Sequence, residues 1–128
     1  MHELASALET RNFALLETLL VEDINFTSPV GSTYQGKQMA VTILKGATEL
    51  LDGLHYTDEI AVDDQVVLRL QARVGGHELE GCHFLKLNSK KQIQEMTTMM
   101  RPFTAVAAFH EGMEAYRLRL MGETPADS

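Results

Sequence analysis

Val66–Val74 reads VVLRLQARV. Val66, Leu68, Leu70, Ala72 and Val74 fall on one side of this run, and Val67, Arg69, Gln71 and Arg73 on the other. A period of two marks a β-strand with one buried face. Gly75-Gly76 closes the run, and His77–Leu87 (HELEGCHFLKL) opens another. A Gly-Gly pair between two such runs predicts a two-residue hairpin. The pattern continues outward to segments at 54–62 and 92–101, set off by Asp63-Asp64 and Asn88-Ser89-Lys90. Connections this short join antiparallel neighbours, not parallel ones, so residues 54–101 read as a four-stranded meander.

The period changes on both sides of the meander. MHELASALETRNF (1–13) reads as an amphipathic helix, and Asn12 is placed to cap a second one, NFALLETLL. INFTS (24–28) is a short strand with Ile24, Phe26 and Ser28 on one face, ended by Pro29. GKQMAVTILKGATELL (36–51) puts Met39, Ile43, Ala47 and Leu50 on one helical face, widened by Ala40, Leu44 and Leu51. Gly46 inside it costs about 1 kcal/mol relative to Ala. After Pro102, Val106, Phe109, Met113 and Leu120 recur at helical spacing behind Thr104, a predicted N-cap. The order of elements predicts an α+β domain over 1–121, with helices on one side of the sheet and a flexible C-terminal tail over 122–128.

Composition narrows the functions. A net charge of -7 repels phosphate backbones, so nucleic acid is not an expected partner. No apolar run is long enough to span a bilayer, and the N-terminus lacks the basic-then-apolar pattern of a signal peptide. With Cys82 as the single cysteine, no intrachain disulfide can form, and a cytoplasmic location is expected. His77 and His83 lie six residues apart on one strand, ~20 Å, too far to share a metal ion. Neither a metal nor a cofactor is expected.

The helices can cover only one face of the sheet, leaving Val67, Leu85, Leu87 and Met99 for the other. Apolar residues grouped on an uncovered sheet face predict a partner surface. A symmetric homodimer through that convex face buries it most simply, since one patch serves both chains.

The element order, the turn SPVGSTYQG (28–36) and the final strand running into MMRPF (99–103) resemble SnoaL-like proteins. These belong to the nuclear-transport-factor-2-like superfamily, which includes ketosteroid isomerases and polyketide cyclases. The resemblance spans about residues 2–120. It implies a cone: a strongly curved antiparallel sheet wrapped around helices, a pocket on the concave face, and dimers through the convex one. In ketosteroid isomerases the general base is an Asp directly before Pro-Val-Gly, a position held here by Ser28. Their oxyanion-hole Tyr falls at about Leu4, and their protonated Asp at Cys82 when CHF is aligned with Asp-His-Phe. With all three groups replaced, the resemblance does not carry the steroid-isomerase reaction to this chain.

The candidate site is a pocket of Phe26, Ser28, Met39, Ile43, Tyr56, Leu70, Ala72, Cys82, Phe84, Met96, Thr98 and Met100. Its few hydroxyls among apolar and adaptable methionine side chains suit a small hydrophobic ligand. Ser28 reads either as a donor to a ligand carbonyl or as a strand-ending Ser bonded to nearby backbone; with no base beside it, the second reading fits better. Cys82 reads as a small buried apolar residue. A second reading is an isomerase- or polyketide-cyclase-type enzyme using His55, Tyr56 or Glu59. Alternation places His55 and Glu59 on the outer face unless a bulge reverses the register. A third reading is a dimeric association module with a vestigial pocket.

Overall fold

In the computed structural model, which describes residues 1–122, the chain runs α1 (Glu3–Glu9), α2 (Phe13–Leu19), β1 (Leu20–Thr27), β2 (Thr33–Gln35), α3 (Lys37–Leu50), β3 (Asp52–Val62), β4 (Gln65–Val74), β5 (His77–Leu87), β6 (Ile93–Arg101), α4 (Phe103–Gly122). The six strands form one curved, unclosed sheet in the order β2-β1-β6-β5-β4-β3. Gly122 ends α4; the rest of the expected tail, 123–128, lies outside the described residues.

The meander forms as the alternation predicts. Val66, Leu68, Leu70, Ala72 and Val74 are all buried. Gly75 and Gly76 both have positive φ, 54° and 84°, the backbone a two-residue primed turn requires. The expectation of a wholly antiparallel sheet needs one correction: β1 runs parallel to β6, pairing Phe26 with Met96. Chain order allows it, because β6 comes back beside β1 only after β2, α3 and three further strands have intervened. The three-residue β2 was not expected at all; it pairs Tyr34 with Phe26 and forms the sheet edge beyond β1.

Asn12 caps α2 as predicted, its Oδ1 accepting the Leu15 N–H at 3.1 Å. His2 does the same for α1 through Nδ1 and the Leu4 N–H, at 3.0 Å. In α3, Ala40, Val41, Leu44 and Ala47 are buried in the core. Met39, on the predicted apolar stripe, is 47% exposed because that stripe borders an open hollow. Ala105 and Phe109 anchor α4. No helix among the described residues is long and apolar enough to cross a membrane.

The facing of β5 reverses the expectation. Cross-strand partners share a face, and β4–β5 pairing sets Leu68 opposite His83, Val66 opposite Leu85, Val67 opposite Phe84 and Arg69 opposite Cys82. His83, Leu85 and Leu87 are therefore buried under the helices, while Cys82 and Phe84 lie on the outer face with Arg69 and Val67; Phe84 is 44% exposed. The physical reason is charge. The row with Cys82 and Phe84 also carries Glu78, Glu80 and Lys86, which cannot be buried without partners.

Candidate functional site

Between α3, α4 and the inner face of the sheet lies a hollow of about 500 Å³. Phe26, Ser28, Met39, Ile43, Tyr56, Leu70, Thr98 and Met100 border it, with Leu54, Phe109 and Met113 among further apolar neighbours. Ala72 and Met96 are packed into the core instead. The placement of Cys82 and Phe84 at the pocket is corrected by the register of β5: neither borders the hollow.

Ser28 follows Thr27, the last residue of β1, and opens the turn to β2. Its Oγ accepts the Ser32 N–H at 3.2 Å, and its carbonyl accepts the Gly31 N–H at 2.9 Å. Gly31, at φ +86°, makes that turn possible. Ser28 thus serves the β1–β2 turn as well as bordering the hollow.

The polar centre of the hollow is His83, weighed in the sequence only as a metal ligand and not as a pocket residue. Its neighbours come from register. One row across the inner face is Tyr56, Leu70, Gly81 and Met100; the next is Glu59, Leu68, His83 and Thr98. Tyr56 Oη lies 2.8 Å from His83 Nε2, and His83 Nδ1 lies 2.7 Å from Thr98 Oγ1. The three side chains form a continuous hydrogen-bonded chain, and all border the hollow. His83 is only 4% exposed. Burial pushes its pKa down to about 4, so the ring is neutral near pH 7. Burial, and then the Glu9 carboxylate, pushes the Tyr56 hydroxyl far up, so it too stays protonated. Glu9 Oε2 accepts the Tyr56 backbone N–H at 2.7 Å.

A bulge does occur in β3, between Tyr56 and Asp58. It turns Glu59 to the inner side but leaves His55 outside, opposite Gln71. Glu59 sits at the exposed end of its row, where its carboxylate accepts the His2 backbone N–H. His55 Nδ1 pairs with the Gly53 carbonyl at 2.9 Å. Neither reaches the hollow, so of the three suspected acid–base residues only Tyr56 does. Partial burial pushes the Cys82 thiol pKa up, away from the thiolate that a nucleophile needs. Among the described residues, no three His, Cys, Asp or Glu side chains converge as a metal site would require.

The mouth is framed by α4. His110, Glu114 and Arg117 border it, all exposed, with Arg117 Nη2 donating to Glu114 Oε2 at 3.0 Å. Tyr116 lies across Gly46 of α3: a methyl group on Gly46 would sit 2.7 Å from Tyr116 Cδ2 and 3.2 Å from Met113 Cε. The helix penalty of Gly46 thus makes room for the ring. Gly46→Ala is expected to gain about 1 kcal/mol of helix propensity and to spend it displacing Tyr116. Its thermal midpoint should stay within about 5 °C of the parent, and a crystal structure of the variant should show the ring swung aside.

Comparison with models of protein families finds no match, and comparison with curated proteins finds none. Solved structures do match. A steroid delta-isomerase from Pseudomonas aeruginosa superposes with a TM-score of 0.88 at 26% identity, over 94% of this chain and 90% of that one. A protein with a cystatin-like fold, conserved in bacteria, from Silicibacter pomeroyi gives 0.86 at 24% identity, over 94% and 84%. A protein with a ketosteroid isomerase-like fold from Catenulispora acidiphila, solved with trimethylamine, gives 0.64 at 16% identity, over 83% and 88%. The fold of the chain is therefore that of nuclear-transport-factor-2-like, ketosteroid isomerase-like proteins. Within that frame, the residue matched above to the isomerase acid, Cys82, faces outward, and its neighbour His83 holds the inward position.

Proposed function

We propose that the hollow binds a small, neutral, apolar molecule through one oxygen atom, held at the Tyr56–His83–Thr98 chain. The observation that carries this reading is a buried, hydrogen-bonded polar chain set in a mostly apolar cavity of about 500 Å³. Such cavities suit drug-sized ligands, with a few polar groups fixing orientation. A neutral Tyr hydroxyl backed by a neutral imidazole can donate to a ligand carbonyl and stabilise negative charge building on its oxygen. Nothing at Ser28 supplies a base, so the reading is of binding and polarisation rather than of isomerisation.

A panel of bicyclic ketones and phenols is expected to raise the melting temperature. A ligand at a hundredfold its Kd adds about 2.7 kcal/mol. Tyr56→Phe, measured against its own unliganded midpoint, should lose most of that gain. A panel without effect on the parent protein would end the reading.

We also propose that the outer face joins two copies of the chain. Val67, Phe84, Cys82 and Met99 adjoin there by register, and Met99 is 55% exposed. They are flanked by Arg69, Glu80 and Arg101, with Glu80 bonded to both arginines at 3.1 and 3.2 Å. A patch with apolar centre and paired charges at its rim is self-complementary under a twofold axis. Sedimentation should give twice the chain mass for the parent and the single-chain mass for Met99→Glu. A parent that sediments as a monomer at micromolar concentration would rule the dimer out.

A further inference from the structure

We infer that Tyr56, His83 and Thr98 form a reversible hydrogen-bond wire, so that one hollow accepts either a neutral carbonyl or a neutral hydroxyl at Tyr56 by reversing the direction of its protons. This inference rests on the reading that the hollow binds a small apolar molecule.

The geometry sets two states. Both nitrogens of His83 are engaged, Nε2 with Tyr56 Oη at 2.8 Å and Nδ1 with Thr98 Oγ1 at 2.7 Å. A neutral imidazole donates from one nitrogen and accepts at the other, and a hydroxyl both donates and accepts. In the first state Thr98 O–H donates to Nδ1, Nε2–H donates to Tyr56 Oη, and the Tyr56 O–H is left for the ligand. In the second, Tyr56 O–H donates to Nε2, Nδ1–H donates to Thr98 Oγ1, and Tyr56 presents only a lone pair. Each state holds three mobile protons, one per side chain, and keeps both internal bonds. Passing between them moves the ring proton from one nitrogen to the other by exchange with water and rotates two hydroxyls. No charge is made or lost.

The ligand therefore chooses the state. A ketone, which only accepts, selects the first; a phenol or enol, which donates well, selects the second. A reversed wire lets one site hold the two forms of a keto–enol or ketone–alcohol pair, a match that a fixed donor such as a lysine cannot provide. Charged ligands are disfavoured at this depth, because the charged groups bordering the hollow, Glu114 and Arg117, are exposed and paired with each other.

The ring nitrogens of His83 report the state directly. In the uniformly ¹⁵N-labelled full chain near neutral pH, long-range ¹H–¹⁵N correlation spectra distinguish a protonated ring nitrogen from a bare one. With 2-decalone the proton should sit on Nε2; with 2-naphthol it should move to Nδ1. In Tyr56→Phe neither compound should change the tautomer. If both compounds bind, seen as shifts of backbone signals around the hollow, and the tautomer is the same in each, the wire is overturned while the binding reading stands. A tautomer change that survives in Tyr56→Phe overturns it too. If neither compound binds, both readings fall.

Discussion

Acidifying the protein from neutrality to its His83 pKa of about 4 is expected to remove roughly 3 kcal/mol of stability through this one ring. In the unfolded chain the imidazole takes up its proton near 6.5; in the fold it does so only near 4. Between those values the unfolded state holds more protons, so falling pH favours it. The contribution is complete above 6.5, shrinks as pH falls, and is gone below about 4. At about 1.4 kcal/mol per pH unit the gap gives the figure above. Burial causes it, and the ring's hydrogen-bond partners, Tyr56 and Thr98, are both neutral hydroxyls. His2 is shifted the same way, chiefly by burial and against the pull of Glu59, but it is only partly covered. His83→Gln separates the two. An amide can still donate to one hydroxyl and accept from the other, and it does not titrate in this range. Urea midpoints followed by circular dichroism across the window should fall steeply in the parent and much less in the variant. Equal slopes would mean that the ring is not the buried neutral base described above.

Much of the fold was legible because it rests on alternation. Val66–Val74 carries its buried face in plain view, and Gly75-Gly76 names its own turn. The cone followed from resemblance, and the superposed structures agree with it. What could not be read was anything that depends on pairing between strands distant in sequence. The parallel contact of β1 with β6 leaves no local trace, nor does the three-residue β2. The bulge in β3 was foreseen as a hazard, yet its position after His55 decides that only Glu59 turns inward. The facing of the candidate site failed at one strand, β5, while Ala72 and Met96 face inward but are packed into the core. The resemblance sets Cys82 at the place of a pocket acid, and Phe84, two residues on, shares its face. The better signal lay in the same eleven residues: one row holds Glu78, Glu80 and Lys86, the other Leu79, Leu85 and Leu87. Burying the second row is far cheaper, and it would have carried His83 into the hollow without any structure. The bond from His83 to Tyr56 was beyond reach, since it spans two strands and depends on the exact diagonal between rows.

Gly81→Ala is expected to destabilise the fold by roughly 3 kcal/mol, the upper end of what overpacking costs, and to lower the melting temperature by about 10 °C or more. Gly81 is on the inner face, between Leu70 and Met100 in the row that begins with Tyr56. A methyl group there would lie 2.4 Å from the Met99 carbonyl oxygen and 3.1 Å from Met100 Cγ. The Met100 side chain can swing away, but the Met99 oxygen is backbone in the adjacent strand, so relief requires β5 and β6 to part. The contrast with Gly46 is the point of the comparison. There the obstructing atoms are chiefly the far edge of a tyrosine ring at the cavity mouth, which can move into solvent, and the two substitutions should differ by a few kcal/mol although each adds one methyl group. The damage at Gly81 also reaches the site. His83 and Thr98 are partners across the same β5–β6 ladder, two residues along, and their 2.7 Å bond depends on that spacing. Calorimetry should show the stability loss, and the ring nitrogen signals of His83 should shift in Gly81→Ala but not in Gly46→Ala. A Gly81→Ala protein within about 1 kcal/mol of the parent, with its His83 signals in place, would show that the two strands have slack the packing denies.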